Sequence, residues 1–234
     1  MAPTARAVAA TDFFRKIPYY FPMRWIDAHS HLADLRWEGR IDQWVELAQQ
    51  QGVDTWLQGG IDPSDWDRQQ ALATKHPGVW PCFGLHPWWV ASHSLQEVRA
   101  ALDELAHRLP EAVALGETGL DFSSKHAHAK MPQLWAFQFQ LQLAKRLLKP
   151  LVLHVVHAHG PALEILEKEA PFPAGGLVHG FSGDGSIAKR YLAKGFLLSV
   201  GGSLLRPGFT QLKKALSTIP PQSVVVETDA PDGV

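Results

Sequence analysis

Trp25-Ile26-Asp27-Ala28-His29-Ser30-His31 begins as a strand and ends as a pair of imidazoles. Residues 25–28 have the apolar, branched and aromatic content of a short β-strand. His29 and His31 stand two apart on extended backbone, so their side chains project from one face. The layout of a short apolar run closed by a histidine or an acid recurs along the chain. Further strands are expected at 53–57, 79–83, 112–115, 151–153, 176–178, 196–200 and 223–226. Between them lie longer stretches with helical spacing. The clearest is the stripe Leu134, Phe137, Leu141, Ala144 and Leu148, stopped by Pro150. Asp62-Pro63 reads as a helix start, with a capping carboxylate and a proline at the first helical position. Strict alternation of strand and helix implies parallel strands joined by crossover helices. Eight such strands point to an α/β fold of the TIM-type (β/α) barrel class, with an open doubly wound sheet as the alternative.

In a parallel barrel the carboxyl ends of the strands share one rim. His29 and His31 follow the first strand, Glu117 the fourth, His154 the fifth, His179 the sixth and Asp229 the last. A lone strand-end histidine is ordinarily a hydrogen-bonded structural residue. Five strands each delivering a ligand-type side chain to one rim are better explained by a shared metal site. Imidazole suits Zn, Mn, Fe or Co, and carboxylates extend the range toward Mg and Mn. A carboxylate such as Glu117 has two oxygens and can bridge two ions about 3.5–4 Å apart.

The chain has 234 residues, 46% of them hydrophobic, enough for one domain with a sizeable core. Net charge is -1, so no global basic field exists to gather long nucleic acid. Cys82 is the single cysteine, which excludes an internal disulfide and a thiol metal site and suits a reducing cytoplasm. No apolar stretch approaches the ~20 residues that span a bilayer, and nothing calls for an obligate protein partner. Residues 1–24 read as an N-terminal extension outside the barrel, with Met23 as the expected natural start. The apolar centre is short for a signal peptide, and Asp12 is unusual for a transit peptide. The barrel itself is expected over 25–234. It is expected to lack its C-terminal helix, because only Glu227-Thr228-Asp229-Ala230-Pro231-Asp232-Gly233-Val234 follows the last strand.

Five segments together resemble the signature segments of the TatD family of metal-dependent hydrolases. They are Asp27-Ala28-His29-Ser30-His31, Gly84-Leu85-His86-Pro87, Gly116-Glu117-Thr118-Gly119-Leu120-Asp121, Leu177-Val178-His179-Gly180-Phe181-Ser182-Gly183 and Val226-Glu227-Thr228-Asp229-Ala230-Pro231. The resemblance runs in order from about Met23 to Val234. It implies an amidohydrolase-superfamily barrel, two divalent metal ions (Mg, Mn, Zn or Co) and hydrolase activity, with deoxyribonuclease activity in several members. Carried over by position, it implies one metal held by His29, His31, Glu117 and Asp229, and a second by Glu117, His154 and His179. Asp229 and Glu117 are the expected catalytic residues, Asp229 orienting or deprotonating the attacking water. His86 is the expected substrate contact, with ordering of its own loop as the structural alternative.

The expected reaction is phosphodiester hydrolysis at a nucleic-acid end, or of a small phosphoester, through a metal-bridging hydroxide. The alternatives are a two-metal amide or ester hydrolase and a truncated, inactive member. Many family members carry Arg two residues after the fifth-strand histidine, where a phosphate can be gripped. Val156 stands there in this chain. Trp88 and Trp89 could stack on a base at the rim, although packing between barrel and helix is the favoured reading for both.

Overall fold

Every apolar run expected to be a strand is one, and each pairs parallel to its neighbour. The computed structural model describes residues 24–208 and 210–233. The expected extension at 1–24 lies outside these, apart from Arg24, whose guanidinium donates to Asp54 Oδ2 at 2.8 Å.

The first sheet comprises β1 (Trp25–Ser30), β2 (Val53–Gln58) and β3 (Val79–Trp80). The second comprises β4 (Cys82–Phe83), β5 (Ala114–Asp121), β6 (Leu151–Val156), β7 (Gly176–Val178), β8 (Phe196–Val200) and β9 (Val224–Val226). β3 and β4 are halves of the single run expected at 79–83. They are separated by Pro81, which has no N–H to give to a ladder. At the other seam, Asp229 N donates to His29 O at 2.9 Å and His31 N to Ala230 O at 2.8 Å. These bonds tie the segment that follows the last strand to the first strand, and the architecture is the TIM-type (β/α) barrel.

Cys82, Ala114, Val152 and Leu177 form a buried cluster, with Ala28, Leu57 and Val225 packed against it. Each comes from a different strand, and together they fill the barrel interior as a layer of side chains. The larger core lies between strands and helices and includes Trp66, Phe83, Leu115, Phe137, Leu153 and Tyr191.

The helices in chain order are α1 (Ile41–Gln50), α2 (Pro63–Lys75), α3 (Pro87–Ser92), α4 (Leu95–Arg108), α5 (Lys130–Leu147), α6 (His159–Glu169), α7 (Gly185–Leu192) and α8 (Thr210–Leu216). α2 starts as expected, with the Asp62 carboxylate accepting from Asp65 N and Pro63 in the first turn. In α5, Phe137, Leu141 and Ala144 are buried as the stripe predicts. Leu148 is not part of it. It takes the left-handed C-cap at φ 52° and is exposed, because Pro150 two residues on prevents another helical turn.

β5 is longer than the expected 112–115 and begins two residues later. It continues through Gly116-Glu117-Thr118-Gly119, where polar and glycine residues mask the strand pattern. A Cβ at Gly119 would lie 2.0 Å from His154 O, so only glycine lets β5 and β6 pair this closely. Among the described residues no helix follows β9, and none is long and apolar enough to cross a membrane.

Candidate metal centre

Glu117 is the centre of the rim. It projects from the middle of β5, is 1% exposed, and has five imidazoles around it, those of His29, His31, His86, His154 and His179. Its two oxygens face different partners. Oε2 lies 3.2 Å from His31 Nε2 and 3.3 Å from His29 Nε2. Oε1 lies 2.8 Å from His179 Nε2 and 3.2 Å from His154 Nδ1. Asp229 Oδ1 completes the first group, 3.5 Å from His31 Nε2 and 3.6 Å from His29 Nε2. The structure therefore brings together all six residues expected to hold metal, and divides them around one carboxylate.

β1 delivers its two histidines as the alternation predicts, with their Nε2 atoms 3.2 Å apart. The Nδ1–H of His31 donates to Gly59 O at 3.2 Å, which turns its Nε2 toward the site. His29 and His179 stack with ring centroids 4.0 Å apart. His154 presents Nδ1 to Glu117, and its Nε2 lies 3.5 Å from Asp121 Oδ2. A carboxylate behind a histidine in this way helps to orient the ring. Glu227 stands similarly behind His179, 3.9 Å from its Nδ1. Glu227 is itself held by Gly180 N at 2.8 Å and by the Ser199 hydroxyl.

Burial pushes His29 down to about 4, and His179 nearby adds to the shift, so His29 is a neutral ligand-type imidazole at pH 7. For His179, burial also acts downward, but the Glu117 carboxylate overrides it and lifts the group to about 9. His31 rises well above its ordinary value; burial opposes the shift, and hydrogen bonding to Asp229 and Glu117 drives it. Glu117 stays ionised: burial would raise it, and the surrounding histidines hold it well below the usual carboxylate range.

Metal fits these residues. Glu117 Oε2, the oxygen that faces His29 and His31, is buried without a hydrogen-bond partner, an unusual state in a folded interior. Three sets of side chains are spaced to share an ion: His29, His31 and Asp229; His29, Glu117 and His179; and His86, Glu117 and His154. Donors of this kind, imidazole with carboxylate, suit a divalent first-row cation.

His86 lies in the loop between β4 and α3 but is turned inward. It is 2% exposed, caps α3 by accepting from Trp88 N at 3.1 Å, and points Nε2 toward Glu117 Oε1 at 3.5 Å. The loop-ordering role is therefore real. Because Nδ1 accepts, the proton of neutral His86 sits on Nε2, aimed into the cleft. That cleft measures about 330 Å³ and is lined by His31, His86, Trp88, Glu117, His179 and Asp229, with Arg36 and Arg68 on its outer wall. Trp89 packs against the core as expected, whereas Trp88 is 46% exposed.

Residues 26–233 match the model of the family described as TatD related DNase. The chain belongs to the TatD family. It is 32% identical over 209 residues to the uncharacterized metal-dependent hydrolase YjjV of Escherichia coli, covering 89% of this chain and 80% of that protein. The crystal structure of YjjV superposes with a TM-score of 0.82, covering 90% of this chain and 80% of that one. The 3'-5' ssDNA/RNA exonuclease TatD of Erwinia billingiae is 35% identical over 193 residues, 81% of this chain and 72% of its own. A Deinococcus radiodurans PTE-like lactonase shares the fold alone, with a TM-score of 0.59 at 11% identity over 88% of this chain and 77% of its own.

Three supporting residues escaped the sequence reading. Asp27 is buried and accepts from Thr228 N at 2.9 Å and Thr228 Oγ1 at 2.6 Å, clamping β1 to the segment that carries Asp229. Gly59 leaves the room that Glu117 and His29 occupy. Gln69 of α2 donates to Gly59 O and accepts from Cys82 N, holding the loop after β2 in place. The Gly59-Gly60 pair after an apolar run was the available signal for the second of these.

Proposed function

We propose that the chain is a two-metal phosphodiesterase acting on single-stranded nucleic-acid ends. The observation that carries this reading is the division of Glu117, with Oε2 toward His29 and His31 and Oε1 toward His154 and His179. His29, His31, Glu117 and Asp229 would hold one divalent ion, and Glu117, His154 and His179 the other. When bound, such ions act as Lewis acids and make water nucleophilic at neutral pH.

The chain's own groups supply the rest. Asp229 is half-buried, with a carboxylate 31% exposed. Burial alone would raise it, but the hydrogen bond from His31 keeps it ionised. It is thus free to accept the proton of the attacking water. His86 can donate from Nε2 to a substrate oxygen inside the cleft. Asp121 and Glu227 orient His154 and His179 from behind. The family model's description and the exonuclease named in Erwinia favour a nucleic-acid substrate. The test is turnover of single-stranded DNA, RNA and aryl phosphodiesters with Mg, Mn, Co or Zn. No metal-dependent turnover of any of them removes this substrate class.

One observation favours carbonyl hydrolysis instead. Val156 offers no cation, and the cleft arginines are already engaged. Arg36 pairs with Asp34 and Asp232, and Arg68 with Asp65. Aryl esters and acyl amides assayed beside the phosphodiesters separate the two readings.

A further inference from the structure

Trp88 is placed for more than packing. The large aromatic side chains Trp66, Phe83 and Phe137 are fully buried, whereas Trp88 lines the cleft and remains 46% exposed. Its ring centroid is 4.7 Å from that of His86 and 5.6 Å from that of His154, so it stands directly beside the site. It is also held firmly. Its Nε1–H donates to Asp121 Oδ2 at 2.5 Å, and its backbone N donates to His86 Nδ1. The ring lies 15° from parallel to His126 at 5.4 Å. The Asp121 oxygen that anchors the indole also faces His154 Nε2 at 3.5 Å. The indole is therefore fixed relative to a site histidine through a single atom. Lys125, which is exposed, holds its ammonium over the indole ring, 5.8 Å from the ring centroid.

A half-exposed aromatic ring fixed beside the candidate centre, with the cation of a flexible, exposed lysine over it, matches what unpaired nucleic acid requires. Bases stack on aromatic rings without regard to sequence, and cations meet the phosphates. Preorganisation by Asp121 removes the ordering cost that a loose side chain would impose on binding. The 330 Å³ cleft is at the small end of the range for ligand sites, which suits one splayed nucleotide and excludes a duplex.

We propose that Trp88 is the stacking platform for the nucleobase adjoining the scissile phosphodiester, with Lys125 facing the neighbouring phosphate. This rests on the phosphodiesterase reading above and assigns its specificity to a residue outside the proposed ligand set. It also answers the loss of the arginine at Val156, since affinity for the strand would come from base stacking.

The test compares a fluorescein-labelled single-stranded oligodeoxynucleotide with an abasic strand of equal length. Binding is read by fluorescence anisotropy with metal-stripped protein in EDTA. Stacking of one base predicts that wild-type protein prefers the base-bearing strand by roughly five- to a hundred-fold. Trp88→Ala should bring that preference close to unity, and Trp88→Phe should restore most of it by keeping an aromatic face. Thermal melts of both variants confirm that they fold. The same pair of strands, assayed for cleavage with Mn, should show the Trp88→Ala effect in KM more than in kcat. A wild-type protein with no preference for the base-bearing strand, or a preference that survives in folded Trp88→Ala, overturns the platform. A wild-type protein that binds with the expected preference but cleaves no phosphodiester overturns the phosphodiesterase reading and leaves the platform standing.

Discussion

Gly59 and Glu117 share one volume: a Cβ added to Gly59 would lie 2.6 Å from Glu117 Oε2. The same Cβ would stand 2.6 Å from Cε1 of both His29 and His31. All three neighbours are constrained, since Glu117 and His29 are buried in the rim and His31 is tied to Gly59 O. Gly59→Ala is thus expected to fold and to lose the ion facing Glu117 Oε2. Metal content by plasma mass spectrometry, with a thermal melt alongside, checks this. Wild-type metal stoichiometry in Gly59→Ala would show that the rim can give way.

Two substitutions separate the roles of the carboxylates. Glu117→Ala removes a side chain whose two oxygens face both groups, and should lose both ions. Asp229→Asn should abolish turnover, by at least about a hundred-fold, as loss of a general base does. Much of the metal should remain. Asn tolerates the left-handed backbone that Asp229 adopts at φ 53°, so the loop should keep its shape. Metal content and kcat measured on the same preparations test both outcomes.

Asp27 should matter to stability before it matters to chemistry. It joins β1 to Thr228 across the barrel seam with two charge-assisted hydrogen bonds. Asp27→Ala is expected to cost about 2 kcal/mol, which for a domain of this size lowers Tm by about 4–8 °C. The melt of metal-stripped protein reads this directly.

The pH dependence of stability should reverse when metal binds. In metal-free protein the His179 imidazole is lifted from 6.5 to about 9, against burial, by the Glu117 carboxylate. A folded value above the unfolded one stabilises fully below about 6.5 and is lost as pH rises through about 9. Metal-stripped protein should therefore lose Tm across that window. Metal requires neutral imidazole, so Mn-loaded protein should gain stability over the same window as protons cease to compete. Melts at pH 6.5 and 9, with EDTA or with Mn, give the two slopes.

The site was legible in the sequence wherever a ligand-type side chain closed an apolar run. His29, His31, His154 and His179 all do this, and the barrel geometry did the rest. β5 was legible only in part, because Gly116, Glu117, Thr118 and Gly119 interrupt the apolar pattern while remaining in the strand. The α5 stripe revealed the core-facing residues but not Gln133 and Gln140, one heptad apart and equally buried. Gln133 bonds the backbone of Asp121, and Gln140 that of Leu85. Their hydrogen bonds satisfy backbone at the end of β5 and in the loop after β4 that the core would otherwise strand, a role that composition cannot show. The packing reading favoured for both Trp88 and Trp89 holds for one of them. Trp89 does pack inward, whereas Trp88 lines the cleft with its indole bonded to Asp121 and stacked on His126.

The division of Glu117 is tested most directly by anomalous scattering from crystals grown with Mn. Two peaks are predicted, one on each side of the Glu117 carboxylate. The first should be ligated by His29, His31 and Asp229, and the second by His154 and His179. A single peak, or two that do not share Glu117, would contradict the two-metal account.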